Sequence, residues 1–281
     1  MINKQKREAF MTIRGNMKAD KVGLVFSGGG TCGAYQIGFW KALKEFGGEE
    51  NIVALSGSSV GSLNALLYAY GDLELAVDIW NSLSQADMVR LRPFLDGKGV
   101  FSQIGYSRLI DMIEDGWDQM QRGMPIYCCV TVMEKGERID LLHMEAGRPE
   151  YILLNPLKYN KMKNTVLASS AVPYIYSRRH VNGMECVDGD FSDKTPYIPL
   201  INSGCDVVII LHLNTREEAL HRRLESDEDH IPGTDIKLLH LYPAKTLGNF
   251  MSVSKTLTAD RMKRGYEEGK AFLLENGKAG E

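Results

Sequence analysis

Twice near its start, the chain runs from a short apolar stretch through a glycine-rich turn into a helical pattern. Val22-Gly-Leu-Val-Phe26 reads as a buried strand, Gly28 to Gly33 as the turn, and Ala34 to Phe46 as a helix ended by Gly47-Gly48. Ile52 to Leu55 then reads as a second strand, and Val60 to Tyr70 as a second helix. A helix between two strands carries the chain back along the sheet, so the strands it joins lie parallel. The expected fold class is α/β: a three-layer sandwich whose central, largely parallel sheet is flanked by helices.

Later segments extend this plan. Leu73 to Leu83 has helical periodicity, Arg90 to Ser102 reads as a loop around Pro93, Gly97 and Gly99, and Tyr106 to Ile113 reads as a helix. Ile126 to Met133 is a strand pattern, with Glu137 to His143 as its expected hairpin partner. Met162 to Ser170 is helical and stops before Pro173. Arg178 to Val187 is a hairpin turning at Asn182-Gly183. Asp206 to Leu213 and Lys237 to Tyr242 read as strands, Thr215 to His230 as a solvated helix or excursion, and Ser254 to Leu274 as a long terminal helix. No repeat or linker interrupts the pattern, so the expected organisation is a basic arm over residues 1–20 and a single domain over residues 21–281.

A chain of 281 residues can bury a large core without disulfide or metal staples. The net charge of −3 gives no reason to expect nucleic acid as a partner. The five cysteines, Cys32, Cys128, Cys129, Cys186 and Cys205, form no CxxC pair, and two are adjacent in an apolar run. That pattern fits reduced, buried thiols and a cytoplasmic location. Lys4, Lys6 and Arg7 are not followed by an apolar h-region, so no signal peptide is expected. Val207 to Leu213, the longest strongly apolar stretch, is too short to span a bilayer. The expectation is a soluble protein whose basic arm allows peripheral contact with an anionic membrane surface, a solvated tail being the plainer reading of that arm. Oligomeric state is not legible.

Gly57-Ser58-Ser59-Val60-Gly61 fits G-x-S-x-G, between a predicted strand and a predicted helix, as a nucleophile elbow requires. The letters alone also describe an inert glycine–serine turn; the flanking elements favour chemistry. Gly28, Gly30 and Gly33 satisfy the dinucleotide fingerprint G-x-G-x-x-G. That fold wants an acidic residue at the end of the second strand, where this chain has Ser56-Gly57-Ser58-Ser59, and Glu49 and Glu50 come too early. The turn is therefore read as an oxyanion hole formed by Gly28, Gly29 and Gly30, with the Gly29 and Gly30 amides facing the ester carbonyl above Ser59. Both turns end neighbouring parallel strands, so they converge on one crevice.

A serine nucleophile needs a base. None of the six histidines lies in a conspicuous glycine-framed turn. Cys186-Val187-Asp188-Gly189-Asp190 places carboxylates around a glycine at a strand end. Asp188 is a weak base in water, with a reference pKa of about 3.9, and desolvation would strengthen it. A turn aspartate explains the same letters.

These residues together resemble the patatin-like phospholipase family. Gly28-Gly29-Gly30-Thr31-Cys32-Gly33 is similar to its oxyanion loop, Gly57 to Gly61 to its nucleophile elbow, and Asp188-Gly189 to the dipeptide that carries its catalytic aspartate. Ala168-Ser169-Ser170-Ala171-Val172-Pro173 and Arg264-Gly265-Tyr266 also resemble family blocks. The resemblance implies a patatin-like acyl hydrolase domain over 21–281. It implies a Ser59–Asp188 dyad without histidine, lipid or other acyl-ester substrates, a covalent acyl-serine intermediate, and no metal or organic cofactor. Two residues depart from the pattern. Cys32 stands where the family usually has Arg or Lys, which bears on anion binding or loop packing. Asp190 stands where it often has Gly or Ala, so like-charge repulsion would raise the Asp188 pKa unless Asp190 points away to cap the next turn.

Three rivals remain at this point: an α/β-hydrolase triad using His212 or His240, a nucleotide-binding protein using the Gly28–Gly33 turn, and a catalytically silent lipid-binding relative. Met88 to Trp117 holds Phe94, Leu95, Val100, Phe101, Ile104, Tyr106 and Trp117, which read equally as core packing or as a flap over an acyl groove. Tyr174, Ile175 and Tyr176 are candidates for the same groove.

Overall fold

The computed structural model describes residues 21–84, 90–91, 101–134, 136–137, 139–140, 146–222, 231 and 233–276. Its first unit is β1 (Val22–Phe26), a 3-10 turn over Gly30–Gly33, and α1 (Ala34–Phe46). β1 is buried from end to end, because helices cover both faces of the sheet. Leu24 and Phe26 join the larger core cluster with α1, while Val25 joins a second cluster with Leu200, Val208 and Ile210. α1 stops where Gly47 adopts φ 71°, a left-handed value that glycine takes without steric cost.

The second unit is β2 (Ile52–Ser58) and α2 (Val60–Tyr70). α3 (Leu73–Ser82) follows, its first turn capped by the Asp72 carboxylate, which accepts from the Leu75 N–H at 3.0 Å. Then come β3 (Arg90–Leu91), β4 (Phe101–Ser102), α4 (Ile104–Asp111), α5 (Trp117–Met120), β5 (Ile126–Val132), β6 (Arg148–Leu153) and α6 (Tyr159–Ser169). The remaining elements are β7 (Arg179–Val181), β8 (Met184–Val187), α7 (Ile198–Asn202), β9 (Val207–Leu211), α8 (Arg216–Arg222), β10 (Lys237–Leu241) and α9 (Lys255–Asn276).

The main sheet runs β10-β9-β1-β2-β5-β8-β7, with β6 also paired to β5. β10, β9, β1, β2 and β5 are parallel; β6, β8 and β7 are antiparallel additions. This is the largely parallel α/β sandwich expected from the strand–helix alternation. The β7–β8 hairpin turns at Asn182 (φ 51°) and Gly183 (φ 82°), the two left-handed residues such a turn requires.

Three segments differ from the sequence reading. β5 pairs antiparallel with β6 and, on its other edge, with β8, while of the expected partner Glu137 to His143 residues 138 and 141–143 lie outside the described residues. β6 opens Arg-Pro-Glu, an edge-strand sequence that hides its β character. Within the expected loop, Arg90–Leu91 pairs antiparallel with Phe101–Ser102. α8 accounts for part of the charged stretch, while residues 1–20 and 223–230 lie outside the description.

β5 decides where the chain ends meet. Its register with β2 stops at Ser58↔Cys129. Two residues later Thr131 pairs with Pro149 of β6 on one edge and with Val187 of β8 on the other. β8 thus takes the edge of β5 that β2 leaves when it turns into α2, and the residue after β8 meets the residue after β2.

α9 packs along α1 through reciprocal glycines. A Cβ on Gly38 would lie 2.0 Å from the Met262 carbonyl oxygen, and one on Gly265 would lie 1.9 Å from that of Tyr35. Both approaches are to backbone, which has no rotamer with which to yield. Gly38→Ala should therefore cost about 1–3 kcal/mol by forcing the helices apart, a loss of several degrees in melting temperature read by circular dichroism. An unchanged melting temperature would show that the contact is not tight.

Candidate active site

Ser59 sits between β2 and α2 with φ 50° and ψ −127°, a strained conformation for a residue with a side chain. Its neighbours explain how it is held. A Cβ on Gly57 would lie 2.4 Å from the Gly61 carbonyl, and one on Gly61 would lie 1.9 Å from the Phe26 oxygen. The flanking glycines let the first turn of α2 fold tightly against the ends of β2 and β1. Ser169, at the end of α6, accepts the Ser59 N–H at 2.9 Å and donates to the Cys129 carbonyl at 2.6 Å. The strained peptide is thereby fastened to β5.

The Ser59 hydroxyl donates to Asp188 Oδ2 at 2.8 Å. Ser59 is 6% exposed and Asp188 1%. Asp188 is fixed at every polar atom. Its N–H donates to the Ala171 carbonyl at 3.1 Å, its carbonyl accepts from Thr131 Oγ1 at 2.7 Å, and its Oδ1 accepts the Asp190 N–H at 3.0 Å. Burial, and after it the charge of Asp190, hold the Asp188 pKa well above the ordinary carboxylate value; the bonds from Asp190 N–H and Ser59 oppose that rise.

The three glycines of the first turn play different parts. The Gly28 N–H donates to the Lys194 carbonyl at 3.3 Å, so it is already engaged. A Cβ there would strike the Asp190 carboxylate, which packs against this glycine. Gly29 and Gly30 take φ 152° and 57° and line the cavity above Ser59, and their N–H groups have no acceptor among the described residues. The Thr31 N–H donates to the Phe250 carbonyl at 2.8 Å. Segment 246–251 therefore lies against the turn, where a dinucleotide pyrophosphate would need to sit.

A buried polar chain ties the turn to α1, α2 and α3. Trp80 Nε1 donates to Asn64 Oδ1 at 3.0 Å, and Asn64 Nδ2 donates to Gln36 Oε1 and to the Gly33 carbonyl. Gln36 Nε2 reaches the Ser27 carbonyl at 2.9 Å. The readable signal was a Gln and an Asn inside otherwise apolar helix faces, because such groups are buried only when hydrogen-bonded.

The cavity holds about 370 Å³. Leu63, Trp80, Leu83, Tyr106 and Val172 give it apolar walls, and Asp190, Lys194, Asn214 and Glu218 line it with polar groups. Of the flap candidates, Tyr106 lines the cavity, whereas Trp117 is core, donating its Nε1 to the Leu157 carbonyl. Phe94, Leu95 and Val100 lie outside the described residues. Tyr176 lines the cavity; Tyr174 is 63% exposed and is not part of the wall, nor is Ile175. Among the described residues no histidine lines it. His212 Nε2 instead lies 2.9 Å from His240 Nδ1, with Tyr242 stacked on the His212 ring. No group of three or more His, Cys, Asp or Glu side chains among the described residues could hold a metal ion.

A sequence profile described as patatin-like phospholipase matches residues 24–201, the span that contains the glycine turn, the elbow and Asp188. The chain belongs to the patatin-like phospholipase family. Uncharacterized NTE family proteins of Mycobacterium tuberculosis and Mycobacterium bovis are 28% identical to it over 221 residues, covering 77% of this chain and 55% of theirs. The chain thus spans about half the length of these curated relatives. VipD from Legionella pneumophila is similar in structure (TM-score 0.51, 14% identity), covering 92% of this chain and 67% of that one. Human GIVD cytosolic phospholipase A2 is similar to the same degree (TM-score 0.51, 10% identity), covering 99% of this chain and 66% of that one. At these identities the likeness is one of fold.

All five cysteines of this patatin-like chain are free and buried. Burial raises each thiol, pushing Cys128, Cys186 and Cys205 up to about 11. Cys32 lines the cavity, and its raised thiol is a poor nucleophile. Iodoacetamide at pH 8 should label the native protein slowly and all five thiols after denaturation; fast labelling of native Cys32 would contradict its burial. Ser169→Ala should strand the Ser59 N–H without an acceptor. The expected cost is about 1–3 kcal/mol, measured by chemical denaturation, and an unchanged midpoint would mean the elbow holds itself.

Proposed function

We propose that the protein is a lipid acyl hydrolase, a phospholipase or carboxylesterase, in which Ser59 and Asp188 form a catalytic dyad. Membership of the patatin-like phospholipase family supports lipid hydrolysis. The observation that carries the finer reading is the 2.8 Å hydrogen bond from Ser59 Oγ to Asp188 Oδ2 at the cavity wall.

In this mechanism Ser59 Oγ attacks the ester carbonyl while Asp188 Oδ2 takes its proton. The tetrahedral oxyanion is stabilised by the Gly29 and Gly30 N–H groups, aided by the N-terminus of α2. The C–O bond to the alcohol then breaks, and the leaving oxygen takes the proton from Asp188. Water attacks the acyl-Ser59 ester, giving one proton to Asp188; that proton returns to Ser59 as the fatty acid leaves. Burial makes Asp188 a stronger base than a solvated aspartate. The apolar walls suit an acyl chain, and the polar lining suits the alcohol side of the ester. No step needs a metal or organic cofactor.

The proposed setting is cytoplasmic, with lipid met at a membrane surface. Among the described residues no helix is long and apolar enough to cross a membrane.

Ser59→Ala should reduce p-nitrophenyl ester hydrolysis by about ten-thousand-fold or more and abolish fluorophosphonate labelling; a variant that keeps the wild-type rate would overturn the assignment. The base must be ionised to act, so kcat/KM should rise with pH through the raised Asp188 pKa, well above the usual aspartate range. Asp190→Asn removes one of the causes that raise it, so the acid limb should move to lower pH. A limb that stays in place or moves up would exclude this coupling.

A further inference from the structure

Arg261 lies on α9, outside the region 24–201 matched by the family profile. It is fully buried, yet all of its acceptors are uncharged oxygens. Nε donates to the Leu247 carbonyl at 3.0 Å and Nη2 to the Asn249 carbonyl at 3.0 Å. Nη1 donates to the Ser252 carbonyl at 3.1 Å, the Thr31 carbonyl at 3.0 Å and Thr31 Oγ1 at 2.9 Å. A buried cation is costly unless its donors are satisfied, and here a planar fork meets five acceptors on two segments.

Those segments are the glycine turn and the wall laid against it. Thr31 Oγ1 lies 2.9 Å from the Phe250 carbonyl and 2.8 Å from that of Ser252. A Cβ on Gly30 would lie 2.4 Å from the Phe250 oxygen. Thr246, Gly248, Asn249, Phe250 and Met251 line the cavity. One side chain therefore joins the turn to a cavity wall.

The turn needs such a restraint. Gly29 and Gly30 permit its left-handed backbone, but glycine peptides also rotate at little cost. An oxyanion donor is useful only when its N–H direction is fixed before the reaction. The peptides whose N–H groups matter lie immediately before Thr31, the residue that Arg261 grips.

We propose that Arg261 is a positioning residue, clamping Thr31 and the 247–252 wall together so that the Gly29 and Gly30 amides stay aimed at the developing oxyanion. The proposal rests on the Ser59–Asp188 reading above.

The test measures kcat, KM and melting temperature for Arg261→Gln, Arg261→Lys and Thr31→Val on a p-nitrophenyl ester, beside Ser59→Ala. Misaimed donors cost turnover rather than binding, so Arg261→Gln should lose about 100-fold in kcat with KM within about threefold. Arg261→Lys, which keeps a donor cation, should recover at least about tenfold of that loss, and Thr31→Val should lose about tenfold in kcat. The acid limb of the pH profile should stay where it is in wild type, because the surroundings of Asp188 are untouched; a general collapse of the site would shift it. A folded Arg261→Gln with wild-type kcat, or with its loss confined to KM, overturns the clamp. If Arg261→Gln does not fold, wild-type kcat in both Arg261→Lys and Thr31→Val overturns it. Ser59→Ala separates the two failures: inactive Ser59→Ala with fully active clamp variants sinks the clamp alone, whereas active Ser59→Ala sinks the site reading beneath it.

Discussion

One hydrogen bond, from Ser59 Oγ to Asp188 Oδ2, draws together residues 129 positions apart in the chain. It forms because β5 outruns β2. β2 leaves the sheet after Ser58 to become α2, and β8 arrives antiparallel on the vacated edge of β5. The ends of β2 and β8 are then neighbours, and each is followed directly by one partner of this bond. Thr131, two residues beyond the last β2 partner on β5, fastens the Asp188 carbonyl. The same strand receives Ser169 at Cys129 and so steadies the Ser59 peptide. One central strand positions both halves of the proposed dyad.

Burial then gives these groups their chemistry. Desolvation disfavours charge, which strengthens Asp188 as a base and silences the cysteines by keeping them protonated. The same desolvation makes a buried polar side chain costly unless it is hydrogen-bonded, a demand that falls on the side chains packed around the glycine turn. The Trp80–Asn64–Gln36 chain and the Arg261 fork meet that demand, and both end on the glycine turn or its flanks. Glycine supplies the geometry of this turn, and bulky polar side chains from distant helices supply its rigidity.

Much of the framework was legible because periodicity and turn chemistry are local. The two strand–turn–helix units, the Asn182-Gly183 hairpin and the buried β9 run announce themselves within short windows. β6 did not, because an edge strand carrying Arg148, Pro149 and Glu150 lacks the apolar signature of a buried one. The elbow was legible through its glycines, and their reason is now visible: Gly61 has no room for a Cβ against Phe26. The separate fate of Gly28 was not legible, since its N–H is taken by Lys194 from a different part of the chain. Nor was the relegation of Trp117 to the core, which depends on the Leu157 carbonyl.

The sequence by itself determined the fold class, the family and a short roster of residues able to act. Each of these follows from neighbours in the chain: an alternation of elements, a glycine spacing, a serine between strand and helix. Tertiary structure decided which members of that roster meet. It paired Ser59 with Asp188, turned His212 and His240 toward each other away from the cavity, and brought Arg261 from the last helix to the first turn. Strand order, edge occupancy and the reach of a buried side chain set these distances, and no local pattern encodes them.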